Sequence, residues 1–458
     1  MKKNKLEKII NEFSRCKLDF VDIYYQKGIS TIYSYEDSKL NYVNSNIYEG
    51  IGIRTILGDN QKYAHSNDFE EVNINKLITD LKSNYETNSK TKKVKLIDEN
   101  VVSQEPIIPH KKFSNNKKKE IMSRIDKLVR NYDKRIVQVQ ILLMENSYDV
   151  IIANSNGKYV KEKRNYTRLF ASGVAKENEK TTRSYESVGI TGGYELLNDT
   201  EIEEMAISIA SSIIKKLDAV SIKGGNMPVI IESGFGAVIF HEACGHALEA
   251  TTVSKNISVL SGKLGEKIAS DKVTIVDDGT LDSGWGSTVI DDEGNKTQRN
   301  VLIENGILKN YLIDIIGSIR MKMPITGSGR KEDYTYLPTS RMNNTFLMPG
   351  NDKFEDMVKS IKYGLYAKKM GGGSVDPITG DFNFSVSEAY IIKDGKIGNI
   401  VKSASLIGNT LDILNNVEMV SDNLKNSPGM CGSESGDVPV YIGQPTIKVS
   451  SILVGGDK

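Results

Sequence analysis

Cysteine, histidine and tryptophan are scarce in this chain, whose 458 residues include three, four and one of them. Cys16, Cys244 and Cys431 are too few and too scattered for a disulfide framework, and an odd count of thiols suits a reducing compartment. Long apolar runs are missing too. No stretch approaches the roughly 18 apolar residues of a membrane-spanning helix. Residues 1–11 are charged and amphipathic, without the apolar centre of a secretion signal. Charge of one sign is also lacking: 60 Lys and Arg against 59 Asp and Glu leave a formal net charge of +1. That balance removes the whole-chain electrostatic signature of a nucleic-acid or membrane-surface binder. A cytoplasmic protein with no membrane partner and no direct nucleic-acid partner is expected.

What is present is an ordinary globular composition, 39% hydrophobic and 26% charged. The length exceeds what one core usually organises, so two domains are expected, residues 1–222 and 223–458. Leu6, Ile9, Ile10 and Phe13 recur at helical spacing and predict a helix over 3–16. Residues 19–65 read as short strands separated by Gly and Asn, an antiparallel meander. Helical patterns return at 73–85, 120–133 and 200–217, the last carrying Ile202, Met205, Ile209 and Ile213. Strand-like runs occupy 135–145, 150–153 and 167–175. Residues 86–119, with Lys92-Lys93 and Lys117-Lys118-Lys119, read as a solvated linker. The Gly-rich break at 223–226 opens a second half of short strands and turns, including Asp278-Gly279, Glu293-Gly294-Asn295 and Glu304-Asn305-Gly306. The expected class is α+β: helices and antiparallel sheet in the first domain, a β-rich, barrel-like second domain carrying the helix discussed next.

Two of the four histidines fall in Phe240-His241-Glu242-Ala243-Cys244-Gly245-His246. Neutral imidazole is a good zinc ligand, and a carboxylate beside one ligand can reach a water on the metal without binding the metal. Zinc lowers the pKa of such a water to about 7, and Glu242 would accept its proton and return it to the leaving amine. The spacing is unusual. Ligands four residues apart on a regular helix lie about 40° from each other, whereas five apart they diverge by about 140°. One extra residue in a π-type turn restores a common face, and Gly245 lowers the cost of that distortion. A bulged or broken helix between Ala243 and His246 is therefore predicted. The blander possibility is a pair of polar histidines on a half-buried helix.

Two histidines leave a zinc site one protein ligand short. Cys244, Glu249, Asp271, Asp277, Asp278 and the distant Cys431, in what reads as a tight Gly-flanked turn at 428–432, are all candidates. Composition does not choose among them.

Taken together, His241 through Glu249, Val276-Asp277-Asp278-Gly279-Thr280, Ile290 through Gly294, Thr326 through Arg330, Met370-Gly371-Gly372-Gly373 and Val438 through Thr446 resemble the TldD/PmbA family, formerly described as modulators of DNA gyrase, and its TldD branch in particular. The resemblance covers essentially the whole chain. It implies a zinc metallopeptidase with His241, His246 and Cys431 as ligands and Glu242 as general base, acting on short or unfolded peptides that enter a narrow channel as an extended strand. It also implies a homodimer or a heterodimer with a PmbA-type chain that lacks the zinc motif. Gly371, Gly372 and Gly373 permit close backbone approach and could line the channel or form a turn. Arg330 could meet a substrate carbonyl or be structural. The alternative function is a non-catalytic protein that docks a partner or modulates gyrase.

Overall fold

A computed structural model describes residues 1–83, 85–87, 93–376 and 378–456. The first half is organised by one seven-stranded sheet. Its centre is four strands of unusual length, Phe20–Glu36, Lys39–Leu57, Ile136–Asn154 and Lys158–Glu177, of 17, 19, 19 and 20 residues. A typical strand has about five or six. The sequence reading of short runs was wrong here, for a physical reason. Three of them, Phe20–Glu36, Ile136–Asn154 and Lys158–Glu177, bury apolar residues near both ends with polar ones between, so two separate cores share a single ladder, while Lys39–Leu57 is buried only in its second half.

On one face, Lys3–Glu12 and Glu71–Lys82 bury Leu6, Ile9, Ile74 and Ile78 against Val21, Ile23, Ile51 and Ile53. Further along that face, Asn115–Arg130 and Asp199–Lys216 bury Ile125, Val129, Ile209 and Ile213 against Val139, Ile141, Leu169 and Ala171. Asn198 caps the second of these helices by accepting from the Glu201 N–H at 2.9 Å, and acidic residues at its start and lysines at its end suit the helix dipole. Of the expected linker, residues 88–92 lie outside those described. Lys117, Lys118 and Lys119 belong to the helix Asn115–Arg130 rather than to a linker. Lys118 lies on its buried face, where its ammonium meets Glu145 at 2.7 Å.

The opposite face of the sheet docks on the second half of the chain. Tyr24, Tyr148, Val150, Ile152 and Tyr166 pack with Trp285 and Ile290. Beside them runs a buried ionic chain: Arg54 holds Asp22 and, at 2.7 Å, Glu293, while Arg164 holds Glu162 at 2.9 Å and Asp292 at 2.6 Å.

The second half contains a six-stranded sheet and a closed barrel. The barrel runs Tyr363–Val375, Gly225–Ile231, Ile447–Gly455, Ala404–Asn409 and Asp381–Lys393, and the last strand pairs with the first. The barrel-like expectation and the α+β class both hold. The six-stranded sheet includes Ile275–Asp278, Asn344–Leu347, Gly436–Gln444 and Lys425–Ser433. Barrel side chains, this sheet and the histidine segment share one core. Among the described residues no helix is long and apolar enough to cross a membrane.

The buried ionic chain yields a prediction. Replacing Arg54 with Met strands the carboxylates of Asp22 and Glu293 away from water, a loss of about 3–5 kcal/mol. Urea unfolding should show it as a lower midpoint; a change below about 1 kcal/mol would mean the pair is not held as described.

Candidate metal centre

The histidine segment begins as a helix at Val238–Phe240 and continues through His241–Gly245 as a π-helix. This is the wound-out turn that the five-residue spacing demands. Gly245 is needed for a second reason: a Cβ there would fall 1.9 Å from the Sδ of buried Met342. The close approach lets the strand-leading segment at 341–344 lie against the turn.

The geometry brings His241, His246 and Cys431 together. Their donor atoms lie within 4.8 Å of one another. His241 Nε2 is 3.3 Å and His246 Nε2 3.2 Å from Cys431 Sγ, with the two rings nearly perpendicular at 80°. Cys431 does not sit in a turn, contrary to the sequence reading. It is within the strand Lys425–Ser433, opposite Val438, and the turn follows it at 434–435. Alternation along that strand, rather than glycine freedom, aims the thiol inward. Burial opposes the Cys431 thiolate, but the two imidazoles outweigh it and pull its pKa to about 3. Burial likewise disfavours a charged His246, yet Glu249 and Cys431 hold its pKa well above the ordinary range. Two ring nitrogens and a thiolate converging in a mostly buried site are a donor set that could hold a divalent metal ion.

Glu242 is half-buried at the rim, its Oε2 3.9 Å from His246 Nε2, so it reaches the centre without being one of the three convergent donors. The other candidate ligands are placed elsewhere. Cys244 is fully buried in the core, and burial pushes its thiol up to about 12. Asp271 is exposed and pairs with Lys267 at 2.8 Å. Asp277 accepts from the Asn343 N–H and the Thr345 hydroxyl, both at 2.8 Å. Asp278 accepts from Thr280. Glu249 lies behind the site, its Oε1 3.2 Å from His246 Nδ1, where a carboxylate orients an imidazole and strengthens it as a donor.

One residue of the site escaped the sequence reading. Arg341, with no exposed surface, donates to the carbonyl of Cys431, to Ser435 Oγ at 2.8 Å and to the carbonyl of Gly436 at 2.9 Å. Its Nε stands 3.9 Å from Glu249 Oε1. No sequence signal separates it from the other arginines. Arg330 is also buried and donates to the Met342 carbonyl at 2.5 Å, so it is structural. Gly371, Gly372 and Gly373 lie in the barrel strand Tyr363–Val375, where the register jumps between Met370 and Gly373. Gly371 and Gly372 form a bulge, Gly373 pairs with Phe384, and open space lies where a Gly372 side chain would be.

Three family models match the chain: the PmbA/TldA metallopeptidase domain 1 over residues 21–84, the central domain over 108–217 and the C-terminal domain over 224–456. A metalloprotease TldD homolog of Buchnera aphidicola is 34% identical over 98% of this chain and 95% of its own length. The chain belongs to the TldD/PmbA family of metallopeptidases. A TldD homolog of Haemophilus influenzae is likewise 34% identical over 98% of the chain. A zinc metalloprotease TldD homolog of Saccharolobus solfataricus is 27% identical over 98%. Solved structures share the fold of this TldD/PmbA member. A Thermotoga maritima protein described as a modulator of a DNA gyrase covers 99% of both chains with a TM-score of 0.79 at 22% identity. TldE from Thermococcus kodakarensis covers 99% of this chain and 98% of its own, also at 0.79, with 21% identity.

Two outcomes test the site. Cys431→Ala should abolish stoichiometric metal binding in elemental analysis, whereas Cys244→Ala should bind metal like wild type; the reverse result would exchange their roles. Glu249→Gln should weaken metal affinity about 10- to 100-fold in a chelator competition while the fold persists. Unchanged affinity would reduce Glu249 to a packing residue.

Proposed function

We propose that this chain hydrolyses peptide bonds in short or unfolded polypeptides, with zinc held by His241, His246 and Cys431 and with Glu242 as general base. The observation that carries the reading is the meeting of the two Nε2 atoms with Cys431 Sγ at 3.2–3.3 Å, with Glu242 at the rim. The metalloprotease names of the relatives support hydrolysis, one of them specifies zinc, and a thiolate among the donors favours zinc over harder ions. When bound, zinc supplies a Lewis acid and an acidified water.

The remaining work falls to side chains. Glu242 Oε2 takes a proton from the attacking water and delivers it to the leaving nitrogen. Glu249 fixes the ring of His246, and Arg341 fixes the backbone of Cys431, so the donors need not reorganise during turnover. Cys244 is sealed in the core and neither competes for the ion nor meets oxidants.

The substrate enters extended. Backbone pairing to a strand is blind to most side chains and accepts only segments whose own N–H and C=O groups are free, which selects unfolded chains. The bulge at Gly371 and Gly372, followed by Gly373 and with room beside Gly372, gives such a backbone a place to lie against the barrel wall. The working unit is a dimer, of two copies or with a PmbA-type chain; the fold shared with TldE supports a partner of like architecture. Free thiols at Cys16, Cys244 and Cys431 suit a cytoplasmic setting.

Glu242→Gln tests the mechanism. The variant should retain about one zinc per chain and lose at least about 100-fold of its turnover on an unstructured peptide, the usual weight of a general base. Retained zinc with unchanged turnover would remove Glu242 from the chemistry, and wild-type protein that binds metal yet cleaves nothing would favour a docking role.

A further inference from the structure

The strand Lys39–Leu57 has a long open edge. Phe20–Glu36 lines its inner side throughout, but Asn60–Ser66 covers its outer side only from Ile51 to Leu57. Among the described residues no strand pairs with the outer side of 39–50. Residues 41–47 are all exposed, and they include Tyr42, Val43 and Ile47, the last 74% exposed. Open edges are ordinarily blunted by lysine, proline, a bulge or a covering element. Residues 40–48, Leu-Asn-Tyr-Val-Asn-Ser-Asn-Ile-Tyr, carry neither charge nor proline, and the register shift of this hairpin falls at Asn41, outside 42–48.

The exposed segment is also self-complementary. Tyr42-Val43-Asn44-Ser45-Asn46-Ile47-Tyr48 reads almost identically from either end, the single difference being Val for Ile, both β-branched and apolar. A two-fold contact requires a patch that complements itself, and a palindromic strand edge is such a patch. We propose that residues 42–48 pair antiparallel with the same residues of a second copy of this chain, about a two-fold axis at Ser45.

The existing register says what would meet. Ile29 faces Ile47 and Tyr33 faces Val43 within one chain. Pairing places Ile47 of one copy beside Val43 of the other, so each such row becomes Ile, Ile, Val, Tyr across the seam. Thr31 and Ser45, whose hydroxyls are 3.0 Å apart, continue into Ser45 and Thr31 of the second copy. On the other face Tyr48 meets Tyr42 and Asn46 meets Asn44, an aromatic pair and an amide pair of the kind that stabilises antiparallel neighbours. A substrate strand or an unlike partner would need a complementary edge but no palindrome. The two N-terminal sheets would become one continuous sheet.

The proposal rests on the dimer in the functional reading and takes nothing from its chemistry. Full-length Ser45→Cys should convert under mild oxidation to a disulfide-linked pair on a non-reducing gel, because directly opposed strand residues are within reach of that bond. Lys39→Cys, at the far end of the same strand, should not. Ile47→Lys should halve the mass seen by light scattering at micromolar concentration with an unchanged circular dichroism spectrum and metal content. A wild-type monomer would overturn both this seam and the dimeric reading. A wild-type dimer whose Ser45→Cys form does not cross-link, or which Ile47→Lys leaves intact, would overturn the seam alone, whatever the peptidase activity.

Discussion

The buried guanidinium of Arg341 is the constraint on which the meeting of Cys431 with the two histidines depends. Cys431 and the histidine turn are far apart in sequence and belong to different elements, a strand and a π-helix. Arg341 spans them: it gathers the Cys431 carbonyl, Ser435 and the Gly436 carbonyl on one side and stands beside Glu249 on the other. Glu249 in turn backs His246. Burying a charge away from water is costly unless partners compensate it. Both terminal nitrogens of Arg341 are hydrogen-bonded, while its Nε makes no hydrogen bond and faces the Glu249 carboxylate at 3.9 Å, so the charge ties the Cys431 strand to the residue behind His246.

Close packing completes what the guanidinium begins. Met342, next in sequence to Arg341, fills the space a side chain at 245 would take, so the residues that position Cys431 also press on the π-turn. The short helix that follows the barrel strand Ala404–Asn409 contributes too: the hydroxyl of its first residue, Thr410, donates to the Ala243 carbonyl at 2.8 Å. A π-turn leaves some backbone carbonyls without their regular partners, and the Thr410 side chain supplies one.

What the sequence revealed and what it hid divide along the range of the interactions. The turn around His241 and His246 was legible because it follows from a spacing of five residues and a glycine, both local. The four helices were legible from their apolar period, although their ends shifted by a few residues. The lengths of the strands were not, because Gln26, Gly28, Asn146 and Ser147 interrupt the apolar alternation at mid-strand, and only the ladder shows that the chain continues straight. Lys118 looked like part of a basic linker, since nothing nearby in sequence announces that Glu145 waits for it. Arg341 was invisible for the same reason. Its partners are assembled by the fold.

The ring of strands has a consequence for the order in which the molecule can be built. Gly225–Ile231 is held between Tyr363–Val375 and Ile447–Gly455, so on a ribosome the ring stays open until that last strand has emerged. Cys431 also arrives late, on Lys425–Ser433, separated from that strand only by Gly436–Gln444. The first sheet and its helices can settle long before either event. A chain caught part-way through synthesis therefore holds its two histidines without the sulfur that joins them, and cannot assemble the cluster while its neighbours are still unfolded.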